Sequence, residues 1–446
     1  MLNEMFDVLE KENVGQDKTM GLMKRRSELL SLIAKTHSDK KGKVVLFAPF
    51  ENSRNVFVQE SSFYYFSGIS EPALALVFDK QEGAALYKPD FGELRDKWVQ
   101  AVDVLNEETI SLYGINELRS LGKRVRGYQI DPYFSLDDYQ NLINYLQHMI
   151  VTKQTIFTLY PERSGQYAAV KQIIDRLQVF IPELKNHIVD ISPLAAQIRR
   201  KKEIAEIEHL YQAISITHAG FQAAARLLKP GLSESELQAA LEYIFTENEA
   251  QGAYPAIVAA GKRATVLHYH ANNQNIQDEE LVLIDAGAMY QHYCADITRV
   301  LPSSGKFTDR QKEIYEIVLE TQEHVVSHIK PGIWLSNAKE QDASLQHIAL
   351  SFLKKKKYDS LFIHGIGHFL GLDVHDVGDV LQPLQEGDVI TIEPGVYMPD
   401  ESIGIRIEDN YWVVNDADPV CLSEAIPKQI KEVEEMVEES FDVDVV

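Results

Sequence analysis

A repeat constrains this chain more than any other feature. A Lys-Pro-Gly stop occurs at Lys229-Pro230-Gly231 and again at Lys330-Pro331-Gly332, about 100 residues later, and each time it closes an amphipathic stretch. Proline removes a backbone donor and glycine suits a helix exit, so each stop ends a helix sharply. Before the first stop, Ile204, Ile207, Leu210, Ile214, Phe221 and Leu228 fall on one helical face. Ser233 with Glu236, and Thr308 with Gln311, have capping-box spacing, and the helix from Thr308 is expected to reach His328. After each stop come another helix and apolar strands carrying two carboxylates. The pairs are Asp285 with Asp296, then Glu393 with Glu408. The expectation is an α+β domain over residues 193–446 with an internal pseudo-two-fold duplication. Its acidic tail from Lys428 is expected to be a terminal helix with frayed residues.

Residues 1–192 read differently. Short β-rich runs at Val44–Ala48, Ala73–Phe78, Ala84–Tyr87 and Thr155–Leu159 alternate with helical stretches such as Leu136–Ile150, which predicts an α/β domain. No glycine-rich phosphate loop interrupts it. The change of character at Ile191-Ser192-Pro193 sets the boundary, and a length of 446 residues accommodates two or three domains.

A net charge of -23 argues against nucleic acid and against anionic membranes, since both need a basic face. Cys294 and Cys421 are the two cysteines, too few for a disulfide framework or a Cys/His zinc pattern. They suit a reducing compartment, so the cytoplasm is expected. Met1 to Gly15 has no basic segment followed by an apolar core, so no signal peptide is expected there. No apolar run reaches membrane-spanning length, about 18 residues.

The chemistry gathers on the carboxylates. Leu281-Val282-Leu283-Ile284 is a buried-strand pattern running straight into Asp285, and a carboxylate there is costly unless paired or metal-bound. A tight hairpin centred between Tyr290 and Gln291 would set Asp285 directly opposite Asp296, two charges that need a cation between them. Strand alternation puts Thr391 and Glu393 on one face, and likewise Arg406 and Glu408, so four acids can converge. Such hard oxygen donors suit divalent cations. The run from His364 to Asp376 holds three histidines, His364, His368 and His375, among Gly365, Gly367 and Gly371; no glutamate follows His364, so the helical zinc-protease motif is excluded. His268 alone reads as an ordinary histidine. His270, Asp278, Asp309 and the Lys354–Lys357 run take the plain structural reading. Cys294 would share a strand face with Asp296, as filler.

These motifs are Leu283-Ile284-Asp285-Ala286-Gly287, Asp296-Ile297-Thr298-Arg299, His364 through Gly378, Thr391-Ile392-Glu393-Pro394-Gly395 and Gly404 through Asp409. Together they resemble the pita-bread metallopeptidases and, within them, the aminopeptidase P branch. Phe63 to Gly68 and Glu71-Pro72 extend the resemblance into residues 1–192, as a creatinase-like N-terminal domain. The resemblance implies a centre of two divalent ions, often manganese, with cobalt or zinc as alternatives. Its ligands would be Asp285, Asp296, His368, Glu393 and Glu408, with Asp296 and Glu408 bridging. His268, His364 and His375 match the family's active-site histidines, Arg406 an arginine beside the ligands, Tyr397 a tyrosine near the metals, and Trp98, loosely, a tryptophan lining the substrate cleft. Two positions depart from the family: Lys262-Arg263 where asparagine is common, and His292 where a turn glycine is usual.

The implied activity is release of the N-terminal residue from peptides with proline second, by a hydroxide bridging the two ions. Glu393 would be the general base, and His268 or His375 would stabilise the oxyanion. His364 and His375 would position the substrate near the proline ring. An Xaa-Pro bond lacks the N–H that other peptidases need, which gives the selectivity a physical basis. Peptides are the expected partners, with a homodimer or homotetramer as the assembly. Prolidase, acting on Xaa-Pro dipeptides with the same ligands, is the close alternative; the Phe63–Gly68 region and the short Ser402–Ile405 approach lean away from it. Methionine aminopeptidase lacks so long a first domain. A metal-free binding protein on this fold predicts missing ligands, and a creatinase-like enzyme does not use this set.

Overall fold

The structure, a computed structural model, describes residues 18–438 apart from 53–55, 94, 126, 131–133, 163–166, 381 and 416. The stretch from Met1 to Gly15 and the last residues of the acidic tail lie outside the described residues. The chain divides into two units, Met1–Arg199 and Arg200–Val446.

In the first unit, β-branched and aromatic runs form one six-stranded mixed sheet. In chain order its elements are α1 (Lys18–Thr36), β1 (Gly42–Phe47), α2 (Ser61–Ser67), β2 (Ala75–Asp79), β3 (Gly83–Lys88), β4 (Glu117–Ser120), α3 (Gln140–Val151), β5 (Thr155–Thr158), α4 (Ala168–Phe180), β6 (Ile188–Asp190) and α5 (Ser192–Arg200). The strand order is β4-β3-β2-β1-β5-β6, with β1 antiparallel to β2 and parallel to β5. The four expected strands are β1, β2, β3 and β5. The edge strands β4 and β6 carry no apolar run that would announce them, and burial along them is partial or nil. The helix expected from Leu136 starts at Gln140, because a 3-10 turn over Asp137–Tyr139 comes first. The Phe63–Gly68 motif is α2: Glu60 caps its start through the Ser62 and Phe63 amides, and Gly68 closes it in the left-handed region.

The second unit begins with α6 (Ile204–Leu227), whose Ile207, Leu210, Ile214 and Phe221 are buried. Each such side chain contributes about 1.5–3 kcal/mol on burial. Then follow α7 (Glu234–Glu247), β7 (Gln251–Gly252), β8 (Ile257–Ala260), β9 (Leu281–Ala286), β10 (Ala288–Tyr290), β11 (Tyr293–Cys294) and β12 (Ile297–Pro302). The second half runs through α8 (Asp309–Val326), α9 (Leu345–Lys356), β13 (Val389–Ile392), β14 (Gly395–Met398), β15 (Ile403–Arg406), β16 (Asp409–Trp412), β17 (Val420–Cys421) and α10 (Ile430–Glu438). Both capping boxes form, Ser233 with Glu236 and Thr308 with Gln311. Gly231 and Gly332 have φ of 91° and 95°, as a left-handed exit requires. Helix α8 ends at Val326, short of His328, and Ser327 caps it. Each half thus supplies two helices and a bent antiparallel hairpin.

The first hairpin differs from expectation by one residue. Tyr290 pairs with Tyr293 and Asp285 with Thr298, so the turn is Gln291-His292, with φ of 49° and 70°. Two positive φ values in a two-residue loop are what strand twist favours. Asp285 therefore faces Asp296 diagonally rather than directly. In the second hairpin Ile392 pairs with Asp409 and Gly395 with Arg406; the shared register sets Glu393 across from Glu408 where the two ladders break. A bridge between Thr298 and Glu408 joins the hairpins.

Candidate metal centre

The two hairpins bring the acids to one cavity of about 550 Å³. It is lined by Asp285, Asp296, His368, Glu393 and Glu408, with His268, His364, His375 and Arg406. Ligand atoms of Asp296, His368 and Glu408 lie within 4.8 Å of one another, the one such group among the described residues. A larger cavity of about 830 Å³ in the first unit is lined by Glu71, Arg95 and Asp103 among others, and it holds no such group. Size does not locate the chemistry here.

His368 is held from both sides. Its backbone lies against β13, with the Thr391 amide donating to the His368 carbonyl at 2.9 Å. Gly367 makes that approach possible: a Cβ there would stand 1.9 Å from the Thr391 carbonyl oxygen. The imidazole Nδ1 is 3.0 Å from the Phe369 carbonyl, which takes the Nδ1 hydrogen and directs Nε2 into the cavity. Nε2 points at Asp296 (3.3 Å) and Glu393 (3.6 Å). Burial works to lower this imidazole, but the Asp296 contact and the charges of Asp296 and Glu393 outweigh it and raise it to about 9.

The remaining acids are held by neutral or cationic donors. Thr298 donates to Glu408 (2.7 Å) and accepts from Arg406 Nε (3.0 Å). Arg406 also donates to Asp285 and to the Tyr397 hydroxyl (2.9 Å). Asn410 donates to the Asp296 carbonyl at 2.6 Å. Burial, followed by the neighbouring carboxylates, drives Glu408 well above the usual carboxylate range; burial raises Asp285 against the pull of Arg406, and raises Glu393 to about 7. Asp285, Glu393 and Glu408, whose ionised forms burial disfavours, make with Asp296 a hard-oxygen donor set that fits divalent cations.

The histidines differ in environment. His364 accepts from the Tyr397 hydroxyl (2.8 Å) while its Nδ1 meets the Gly365 carbonyl (2.8 Å); burial, then Arg406, lowers it to about 4, so it is neutral. His375 is exposed, its ring 4.1 Å from that of His368. Its loop is fixed through Asp376, which pairs with Lys202 at 2.8 Å, both side chains buried. His268 is exposed and stacks at 6.0 Å on His270. His270 lines the cavity too, contrary to its plain reading. Cys294 does not line it; the buried thiol faces the Leu372 carbonyl at 3.6 Å, a filler position. Asp278 bonds Ser304, Asp309 opens α8, and Lys354–Lys357 are exposed. Trp98 belongs to the first unit, exposed and stacked on Tyr128 at 5.5 Å.

Sequence reasoning passed over Tyr254. Its hydroxyl lies 2.6 Å from Asp285 and 2.5 Å from Asp296. It also passed over Thr298 and Asn410. Thr298 lies two residues from Asp296, where strand alternation could have found it.

The model of metallopeptidase family M24 matches residues 208–415. Human Xaa-Pro aminopeptidase 3 is 31% identical over 92% of this chain and 84% of its own length. The chain belongs to metallopeptidase family M24. Within that family it is an enzyme of the Xaa-Pro aminopeptidase kind: the Xaa-Pro aminopeptidase of Haemophilus influenzae is 29% identical over 88% of this chain and 93% of that protein. A zinc-substituted aminopeptidase P from E. coli, solved with product, matches with a TM-score of 0.78 at 25% identity, covering 96% of this chain and 99% of that one. The fold is accordingly the M24 pita-bread domain preceded by an aminopeptidase P N-terminal domain. Among the described residues no helix is long and apolar enough to cross a membrane.

Proposed function

We propose that this chain releases the N-terminal residue from peptides whose second residue is proline, with two divalent cations, manganese by preference, held by Asp285, Asp296, His368, Glu393 and Glu408. The convergence of these five side chains on one cavity carries the reading. Asp296 and Glu408, the most enclosed of the acids, would be the shared ligands. Bound cations would supply Lewis acidity and bring a water's pKa toward neutrality. The chain's own residues do the rest. Glu393, whose carboxylate lines the cavity beside His364 and His368, would accept the attacking water's proton. His268 or His375 donates to the developing oxyanion. His364 has both nitrogens engaged, so it serves as a neutral wall for the substrate rather than a proton carrier. Leu267, Val374 and Pro255 give the cavity an apolar side on which a proline ring can rest. Two unpaired cysteines support a cytoplasmic setting.

Hydrolysis of Arg-Pro-Pro by wild type, Glu408→Ala and His368→Ala tests the assignment. Both variants should be inactive, and a wild-type rate in either overturns it. Comparing Ala-Pro with Ala-Pro-Ala separates the aminopeptidase from a dipeptidase.

A further inference from the structure

We propose that Tyr254 is a positioning residue of the metal centre, its hydroxyl clasping Asp285 and Asp296 at the separation cation binding needs. This rests on the metal-centre reading above. Tyr254 lies in the bend between β7 and β8, where the Ala253 amide donates to the Gly287 carbonyl at 2.8 Å and Pro255 biases Tyr254 toward extended backbone. The ring is therefore delivered by a fixed segment outside the hairpin that carries the two acids. Its oxygen reaches Oδ1 of Asp285 at 2.6 Å and Oδ1 of Asp296 at 2.5 Å, so the one hydroxyl hydrogen is shared between the two acids. The hairpin register leaves those acids diagonal, so their backbone pairing alone does not close the gap between their carboxyl groups. The other oxygens are taken elsewhere: Asp285 Oδ2 by Arg406, and Asp296 Oδ2 by its contact with His368. Tyr254 is thus the group common to both acids. Without its hydroxyl, nothing among these contacts opposes the spreading of two like charges.

Partners that orient metal ligands typically carry 10–100-fold in affinity. Chelator-treated wild type, Tyr254→Phe and Tyr397→Phe would be titrated with manganese by calorimetry, with urea transitions recorded for each. Tyr397 touches Arg406 and His364 but neither aspartate, so it controls for general loosening of the cavity. Tyr254→Phe should bind manganese 10–100-fold more weakly, and Tyr397→Phe within about threefold of wild type. Unchanged affinity in Tyr254→Phe overturns the proposal, as does an equal loss in both variants. Wild type that binds no manganese overturns the metal-centre reading, and the proposal with it.

Discussion

Chelation should make this protein unusually sensitive to alkaline pH, and His368 sets the size of the effect. Its imidazole is at about 9 in the folded chain against an ordinary 6.5. A group raised on folding contributes stability fully below its unfolded value, and that stability is lost as pH rises through the folded value. The window is therefore pH 6.5 to 9, and the shift corresponds to about 3 kcal/mol. The side chain is 18% exposed, so solvent screening takes little from that figure. Glu408, raised by burial and by its acidic neighbours, acts in the same direction. His364, lowered to about 4, and Glu393, raised to about 7, complete most of their transitions below this window. A bound cation would remove the dependence, because a ligating imidazole is neutral and the acids are compensated. Urea midpoints at pH 6.5, 7.5, 8.5 and 9 would be compared for chelated wild type, manganese-saturated wild type and chelated His368→Gln. The midpoint should fall most steeply in chelated wild type, less in chelated His368→Gln, where Glu408 still acts, and least in the manganese-saturated protein. A chelated wild type equally stable at pH 6.5 and 9, or an equal fall in His368→Gln, would refute the reasoning.

Other perturbations test how the site is supported. Arg299 and Asp409, both fully buried and 2.6 Å apart, should each cost about 3–5 kcal/mol when replaced singly (Arg299→Met, Asp409→Asn) and less than the sum when replaced together; additive losses in chemical denaturation would count against a coupled pair. Gly367→Ala should destabilise by about 1–3 kcal/mol and weaken manganese binding, since the new Cβ meets the Thr391 carbonyl, whereas Gly365→Ala, with open space around it, should match wild type. His292→Gly should raise the unfolding free energy by about 0.5–1 kcal/mol, read as a higher urea midpoint, by relieving a left-handed non-glycine residue; a lowered midpoint would show that the histidine is kept for its contacts.

What could be read from the sequence was local. The capping boxes at Ser233 and Thr308 are four-residue patterns, and the helix stops are adjacent residues. The carboxylate motifs are short runs in which an acid adjoins an apolar strand. Register was harder. With His292 where a turn glycine would have marked the loop, the turn centre shifted by one residue in the expectation, and Asp285 was matched to the wrong neighbour. Tyr254 was out of reach for a different reason. Ala253-Tyr254-Pro255 has no charge and no period, and only the bend between β7 and β8 carries it to the acids. The links among Arg299, Asp409 and Lys428 are likewise long-range, so no local pattern announces them.

The duplication explains why so expensive a cluster can exist. Each half contributes one hairpin whose backbone pairing fixes two acids, and the bridge between Thr298 and Glu408 locks the hairpins together. The acids are therefore placed by backbone ladders and by the Arg299 anchor, which donates to the carbonyls of both Thr298 and Glu408. Side-chain attraction could not do this, since the side chains repel. Arg406 contacts Asp285 directly and reaches Glu408 only through Thr298, so one guanidinium and the His368 imidazole face four carboxylates. The charge left over is what a pair of divalent cations would neutralise. A scaffold that holds like charges together without relaxing is thereby poised to bind such cations strongly.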